Sequence, residues 1–501
     1  MQPNIVYILS DQHHANVWGG AGDPYISTPN IDAIAAAGVS LGDCSCASPL
    51  CVPSRSSLLC GLSPVKTGIY NNMQALPFHV PTFAHSLANA GYETVLSGRM
   101  HFVGEDQNHG FQTRLVGDIT GTYPMNFKRF MENMKNTTAN RAPAYALNVY
   151  GPLAGTSGPI RRAVELSGGG DSAVLHFDRD VADAAIDFLR TRKNDKPLLL
   201  TVGFYGPHCP YVAPEELFKK YYDMLPAYPA VTPEEVAQMH PAMQQWINNR
   251  GVADLTDEDV RRVRAAYYAL TEYTDNLIGE VLTAARETLG EENTVFIYGS
   301  DHGDCIGEHG YFWKSNFFDG SVRVPMMFSW KGHFAEGKTL HTPTTLLDLA
   351  PTLTELAGAA PLPCADGRSL VKDLTEGASQ EENRLVYSFC SDIKGDTPSA
   401  MVKNNRWKLV LFADFPPQLF DLRNDPHENT NLAGTPEVQA VEEELTAALL
   451  AVWDPEKAKA DLAMEKARVE IIGNWFTDAK RTAWTDWPGK PEWNHIDCKT
   501  S

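Results

Sequence analysis

Two short clusters have the donor types of a metal site. Ser10-Asp11-Gln12-His13-His14 follows an apolar run that begins at Asn4, and Ser300-Asp301-His302-Gly303-Asp304 follows a second that begins at Asn293. Carboxylates and an amide oxygen suit hard cations such as Ca²⁺ or Mg²⁺, and an imidazole among them tilts the choice towards Mn²⁺. Asp11, Gln12, Asp301 and His302 are the candidate ligands. The competing reading is that both aspartates cap helices that follow strands. A third stretch, SPLCVPSRSSLLCG over residues 48–61, packs a thiol, a proline and an arginine into five positions before a helical pattern. Either it is an ordinary turn into a helix or Cys51 is a reactive centre.

These groups act together only if the chain's elements converge on one point. Residues 4–10 read as a core strand. Thr28-Pro29-Asn30-Ile31 reads as an N-cap with proline in the first turn, opening a helix that stops near Gly38. A helix over 83–90, a strand over 92–97, a fully apolar strand over 197–204 and a strand over 293–300 follow. Thr256 with Asp259 forms a capping box before a long amphipathic helix through Val260, Val263, Leu270, Leu277 and Val281. Strands alternating with helices predict an α/β fold with a large, doubly wound, mostly parallel sheet. Such sheets gather ligands at the carboxyl ends of their strands. Asp11, Arg99, His208 and Asp301 all sit just past predicted strand ends.

Residues 105–180 are rich in Gly, Asn and Pro and read as insertions around the site mouth. The division expected is a catalytic domain over 1–375 and a small α+β domain over 376–501, with antiparallel strands near 385–388, 400–402 and 407–412. A helix is expected over 438–452, then a packed tail carrying Trp475, Trp484, Trp487 and Trp493.

The chain has 501 residues, is 43% hydrophobic and carries a net charge of −20. That balance argues against nucleic acid as the main partner, because phosphate binding needs clustered Lys and Arg. It leaves room for an anionic substrate in a locally basic cleft. No leader precedes the first strand and no apolar run reaches membrane-spanning length, so a cytoplasmic protein with no membrane partner is expected. Nine cysteines without paired CxxC spacing read mostly as small buried fillers in a reducing compartment.

Cys51-Val52-Pro53-Ser54-Arg55, with Gly61 downstream, resembles the signature of the type I, formylglycine-dependent sulfatases of the alkaline phosphatase superfamily. Asp11-Gln12 and Asp301-His302 match the two metal pairs in order. Gly98-Arg99-Met100-His101, Gly206-Pro207-His208 and Lys314 match the later motifs. The resemblance implies an alkaline phosphatase-like fold and hydrolysis of a sulfate ester. It implies one divalent metal (Ca²⁺, Mn²⁺ or Mg²⁺) held by Asp11, Gln12, Asp301, His302 and residue 51. It also implies conversion of Cys51 to formylglycine by a separate generating or maturing enzyme. Arg55, Arg99 and Lys314 would clamp the sulfate, with His101, His208 and Lys314 sharing the proton transfers.

A finer likeness, to choline sulfatases, lies in residues 97–111, 416–421 and 425–429 and implies a homo-oligomer. Trp313, Tyr123, Phe127 and the tail tryptophans are candidates for an aromatic cage around a quaternary ammonium. Lys128 and Arg129 instead suit a second anionic group, as on a sulfated sugar. The substrate expected is therefore a small sulfated metabolite or sulfated sugar, with choline sulfate as a candidate. One alternative is a phosphonate monoester or phosphodiester hydrolase using the same site. Another is a non-catalytic, ligand-binding descendant in which Cys51 stays a thiol.

Overall fold

Eight strands form the central sheet. In chain order they are β1 (Asn4–Asp11), β2 (Val39–Leu41), β3 (Glu93–Gly98), β4 (Thr113–Arg114), β5 (Leu198–Pro207), β6 (Thr294–Ser300), β7 (Met326–Ser329) and β8 (Lys338–Leu340). The computed structural model describes residues 2–120, 153, 156–381, 383–391 and 396–478. Across the sheet the order is β8-β2-β7-β6-β1-β5-β3-β4. β6, β1, β5, β3 and β4 run parallel, while β7 is antiparallel to both its neighbours. The expected doubly wound, mostly parallel α/β sheet is what forms.

Every residue of β1, β5 and β6 is buried, which is why these strands read as continuous apolar runs rather than alternating ones. Period two still sorts the side chains. Ile5, Tyr7 and Leu9 face one helical layer, with α2 (Cys51–Cys60) and α3 (Phe83–Asn89). Val6 and Ile8 face the other, with α1 (Pro29–Ala36), α4 (Ala173–Thr191) and α5 (Asp257–Leu289).

Two local expectations need correction. Thr28 does not cap α1 with its side chain; its hydroxyl takes the Gly19 N–H at 2.8 Å and donates to Asp32. The free N–H groups of Asn30 and Ile31 go instead to the Asp275 carboxylate of α5, at 3.2 and 2.8 Å. Part of the supposed insertion region is also regular: α4 starts at Ala173, and Val174, Val181, Ala185 and Leu189 form its buried stripe. The capping box of α5 is present, with Asp259 N–H on the Thr256 hydroxyl and Thr256 N–H on the Asp259 carboxylate.

The C-terminal part carries the antiparallel sheet β9 (Val386–Cys390), β10 (Ser399–Lys403), β11 (Trp407–Phe412) and β12 (Gln418–Asp421). Helix α6 (Gln439–Leu450) covers it through Leu445 and Leu449. α7 (Pro455–Asp478) follows, with Trp475 half exposed rather than packed. Trp484, Trp487 and Trp493 lie outside the described residues. Buried lysines dock this sheet on the main body: Lys403 on Asp43 at 2.6 Å, and Lys408 on the Phe317 carbonyl at 3.0 Å.

The strands that bear the polar groups approach closely through glycine. A Cβ on Gly203 of β5 would lie 1.9 Å from the Arg99 carbonyl oxygen. The relief must come from the backbone. Gly203→Ala is expected to lower stability by about 1–3 kcal/mol, the usual range for overpacking. Turnover should fall with it, because the shift lands on Arg99. Thermal unfolding and a rate assay together check this; an unchanged melting temperature would contradict it.

Candidate active site

Cys51 is the first residue of α2, and Arg55 lies one turn further on. The i,i+4 spacing in Cys-x-Pro-Ser-Arg therefore puts thiol and guanidinium on one helix face. That face meets the carboxyl ends of four adjacent parallel strands. Ser10 of β1 pairs with Ser300 of β6, so the next residues, Asp11 and Asp301, emerge side by side. Arg99 follows β3 and His208 follows β5.

These groups make a buried chain of alternating charge. Arg99 Nε donates to Asp11 Oδ2, which also accepts from Arg55 Nη2 at 3.0 Å, and Arg55 Nε donates to Asp301 Oδ2 at 2.7 Å. Both arginines and both aspartates are essentially inaccessible to solvent. Burial works to raise the Asp11 carboxyl, but Arg99, with His208 and Arg55, holds it well below the usual carboxylate range. Asp301 goes the other way, because burial outweighs Arg55.

The remaining donors converge on residue 51. Lys314 Nζ donates to Cys51 Sγ at 3.2 Å and to Gln12 Oε1 and His208 Nε2, each at 2.6 Å. All three ammonium hydrogens are thereby used. His302 Nε2 lies 3.2 Å from Cys51 Sγ, and Asp11 Oδ1 accepts from the thiol at 3.8 Å. Burial alone would raise the Cys51 thiol, yet Lys314 and His302, with a bond from His101, hold it well below its ordinary value. The helix start adds to the same effect.

His208 donates Nδ1–H to the Cys209 carbonyl at 2.6 Å, which leaves Nε2 as the acceptor for Lys314. Burial, then the neighbouring ammonium, pushes its pKa down to about 4. At neutral pH the pair is an ammonium against a neutral imidazole.

Asp11, Cys51, Asp301 and His302 each offer a ligand atom, and these atoms lie within 4.8 Å of one another, all buried. Gln12 Oε1 points to the same place through Lys314. His302 donates Nδ1–H to the Gly303 carbonyl, which orients Nε2 inward as metal-bound histidines require. Two carboxylates, an amide oxygen and an oriented imidazole fit a divalent cation. The helix-cap reading of the two aspartates is not needed to explain their contacts.

A sulfatase family model matches residues 3–359. The chain belongs to the sulfatase family. It is accordingly a sulfuric ester hydrolase. A model for the C-terminal part of N-sulphoglucosamine sulphohydrolase matches residues 307–454 of this sulfatase. Over 507 residues it is 34% identical to a choline-sulfatase of Rhizobium meliloti (strain 1021), covering 98% of this chain and 94% of that one. It is 30% identical to an arylsulfatase of Clostridium perfringens (strain 13 / Type A), covering 87% and 91% of the two chains. A phosphonate monoester hydrolase of Agrobacterium radiobacter shares the fold, with a TM-score of 0.73 at 24% identity over 90% of this chain and 95% of that one.

Of the residues singled out from sequence, Asp11, Gln12, Cys51, Arg55, Arg99, His208, Asp301, His302 and Lys314 converge. His101 stands at the edge, partly exposed, with Nδ1 accepting from Arg99 Nη2 at 3.0 Å. Trp313 is wholly buried beside Lys314, packed on Trp246 with ring centroids 6.2 Å apart. Tyr123, Phe127, Lys128 and Arg129 lie outside the described residues. Sequence reasoning missed Asp118. Its carboxylate accepts from the backbone N–H of Met100 and His101 at 3.0 and 2.6 Å and from Arg99 Nη1 at 3.4 Å. It lies four residues past the two-residue strand β4, and no local pattern in the sequence marks it.

In unmodified, metal-stripped protein the Cys51 thiolate is expected to persist to pH values well below those at which an ordinary thiol, of pKa about 8.5, becomes protonated. The difference in ultraviolet thiolate absorbance between wild type and Cys51→Ala, followed as pH falls, measures it. Lys314→Met should move the transition upward. A transition left at the ordinary thiol value would refute the electrostatic account.

Proposed function

We propose that the protein hydrolyses the sulfate ester of a small metabolite or a sulfated sugar, using a formylglycine made from Cys51. One observation carries this reading: residue 51 sits at a helix start, between the Lys314 ammonium and the oriented His302 imidazole, inside a cluster of metal donors. A hydrated aldehyde there would supply two hydroxyls on one carbon, one to attack sulfur with loss of the alcohol and a second whose deprotonation expels sulfate and leaves the aldehyde, which one water then rehydrates. Asp11, Gln12, Asp301 and His302 would hold a divalent cation, which supplies Lewis acidity and charge for the sulfate oxygens.

The chain's own residues divide the rest. Lys314 is aimed at the reacting position and can move from its resting acceptors to a sulfate oxygen or the departing alkoxide. His208 is neutral at rest and accepts a hydrogen bond from Lys314 at Nε2, which orients the ammonium towards residue 51. Arg55 is committed to Asp301, Asp11 and the Arg99 carbonyl, so its part is to hold the two carboxylates rather than to grip sulfate. Arg99 is similarly engaged with Asp11 and Asp118 and supplies positive field from behind. His101, at the open edge with Nδ1 taken by Arg99, is placed to bond the second hydroxyl through Nε2. The likeness to a choline-sulfatase supports choline sulfate as a candidate substrate. Lys128 and Arg129 support a second anionic group on the substrate instead.

Cys51→Ala is expected to abolish sulfate release while leaving the melting temperature within a few degrees of wild type; retained turnover would sink the mechanism. Peptide mass spectrometry across residues 48–61, on protein from its own host, should show sulfur replaced by carbonyl oxygen at position 51. Lys314→Met should lower kcat by about 10²–10³-fold, in the range of a lost proton donor or charge clamp.

The Gln12 and His302 pair is also similar to that of phosphonate monoester hydrolases, and this favours a second reading on the same site. An aryl sulfate and an aryl phosphonate assayed side by side decide between them. The sulfate is expected to be hydrolysed with the higher kcat/KM.

A further inference from the structure

Asp304 is buried three residues beyond Asp301. Its Oδ2 accepts from Gln12 Nε2 at 2.7 Å and from the Tyr211 hydroxyl at 2.8 Å. Its Oδ1 has no hydrogen-bond partner among the described residues. We propose that Asp304 is a positioning residue that decides which end of the Gln12 amide faces the cation and keeps the ligand at position 12 neutral. The inference rests on the metal site proposed above.

An amide has one end that can ligate and one that cannot. The backbone of Gln12 is already fixed. Its φ is 67°, its N–H goes to Asp301 Oδ1 at 3.1 Å, and its carbonyl accepts from the Tyr267 hydroxyl at 2.7 Å. The freedom left to the residue is therefore in its side chain. Asp304 Oδ2 is an accepting oxygen here, since the Tyr211 hydroxyl donates to it as well. It draws the amide nitrogen to itself and sends Oε1 towards Lys314 and residue 51. Flipping the amide would set two oxygens against each other in a dry site.

The same contact constrains charge. A glutamate at position 12 would place its carboxylate a hydrogen bond away from Asp304, both of them buried, which is strongly unfavourable. Gln12 and Asp304 are thus a matched pair. Stability does not account for Asp304, since a buried, unpartnered carboxylate oxygen is costly to keep.

The test is calorimetric titration of chelator-treated protein with MnCl₂ and, separately, CaCl₂. Wild type is expected to bind one equivalent of ion. Asp304→Asn should weaken binding of both ions by about 10–100-fold, the usual effect of losing a partner behind a metal ligand. Gln12→Glu alone should weaken it at least as much. The two changes combined should recover binding to within about tenfold of wild type, because an amide then donates to a carboxylate in the reverse sense. A merely structural role for Asp304 predicts additive losses instead. Equal binding by Asp304→Asn and wild type, or additive losses in the double variant, would overturn the inference while leaving the metal site standing. Failure of wild type to bind either ion would overturn the metal reading and this inference with it. Should these variants fail to fold, Tyr211→Phe loosens Asp304 without touching Gln12. A several-fold loss of affinity there upholds the proposal, and unchanged affinity overturns it.

Discussion

The structure around the site depends on two guanidiniums and two carboxylates buried in alternation, Arg99–Asp11–Arg55–Asp301. Taking four charges out of water is expensive, and only their mutual pairing offsets it. Removing one leaves another uncompensated, at about 3–5 kcal/mol. The chain therefore constrains the fold as much as the fold constrains it. β1 and β6 must stay in register to set the aspartates together. β3 must end where Arg99 can reach Asp11. α2 must start where Arg55 can span both carboxylates. A slip of one residue in any of these strands would bury unpaired charge.

Much of this was legible in the sequence because it is periodic or local. Long apolar runs gave the central strands, and polar residues just past them marked the ligand edge. The Cys51 and Arg55 spacing needed only helix geometry. What was not legible is long-range. Lys314 was found through family resemblance alone. It sits beside a two-residue strand, between Trp313 and Ser315, both at positive φ, where no periodicity survives. Asp118 and Asp275 work through backbone N–H groups far away in the chain, on β3's exit and on α1. Such caps leave no trace in local pattern. Helix α4 was read as part of an insertion because its start follows a Gly-rich stretch that hid an otherwise clear 3.6-residue stripe.

The placement of Lys314 ties the small C-terminal sheet to the chemistry. Ser315 N–H is bonded to the carbonyl of Pro49, two residues before Cys51, at 3.0 Å, and Trp246 donates to the Lys314 carbonyl at 3.2 Å. Lys408 of β11 then grips the Phe317 carbonyl and Asp319. The ammonium is held from three directions. The sheet that looks peripheral in sequence is a brace for the segment bearing Lys314.

The burial of α2 has a consequence for how the protein comes into being. Cys51 and Arg55 are each only 1% exposed once folded. An enzyme that converts the thiol and reads the adjoining arginine must reach them as extended chain. Under the proposed function, maturation and folding are competitors in time, and whichever wins is final for that molecule. Synthesis that outpaces the modifying enzyme fills the cell with correctly folded but permanently inert copies. The active fraction of a preparation then records a race between two rates rather than the quality of the fold.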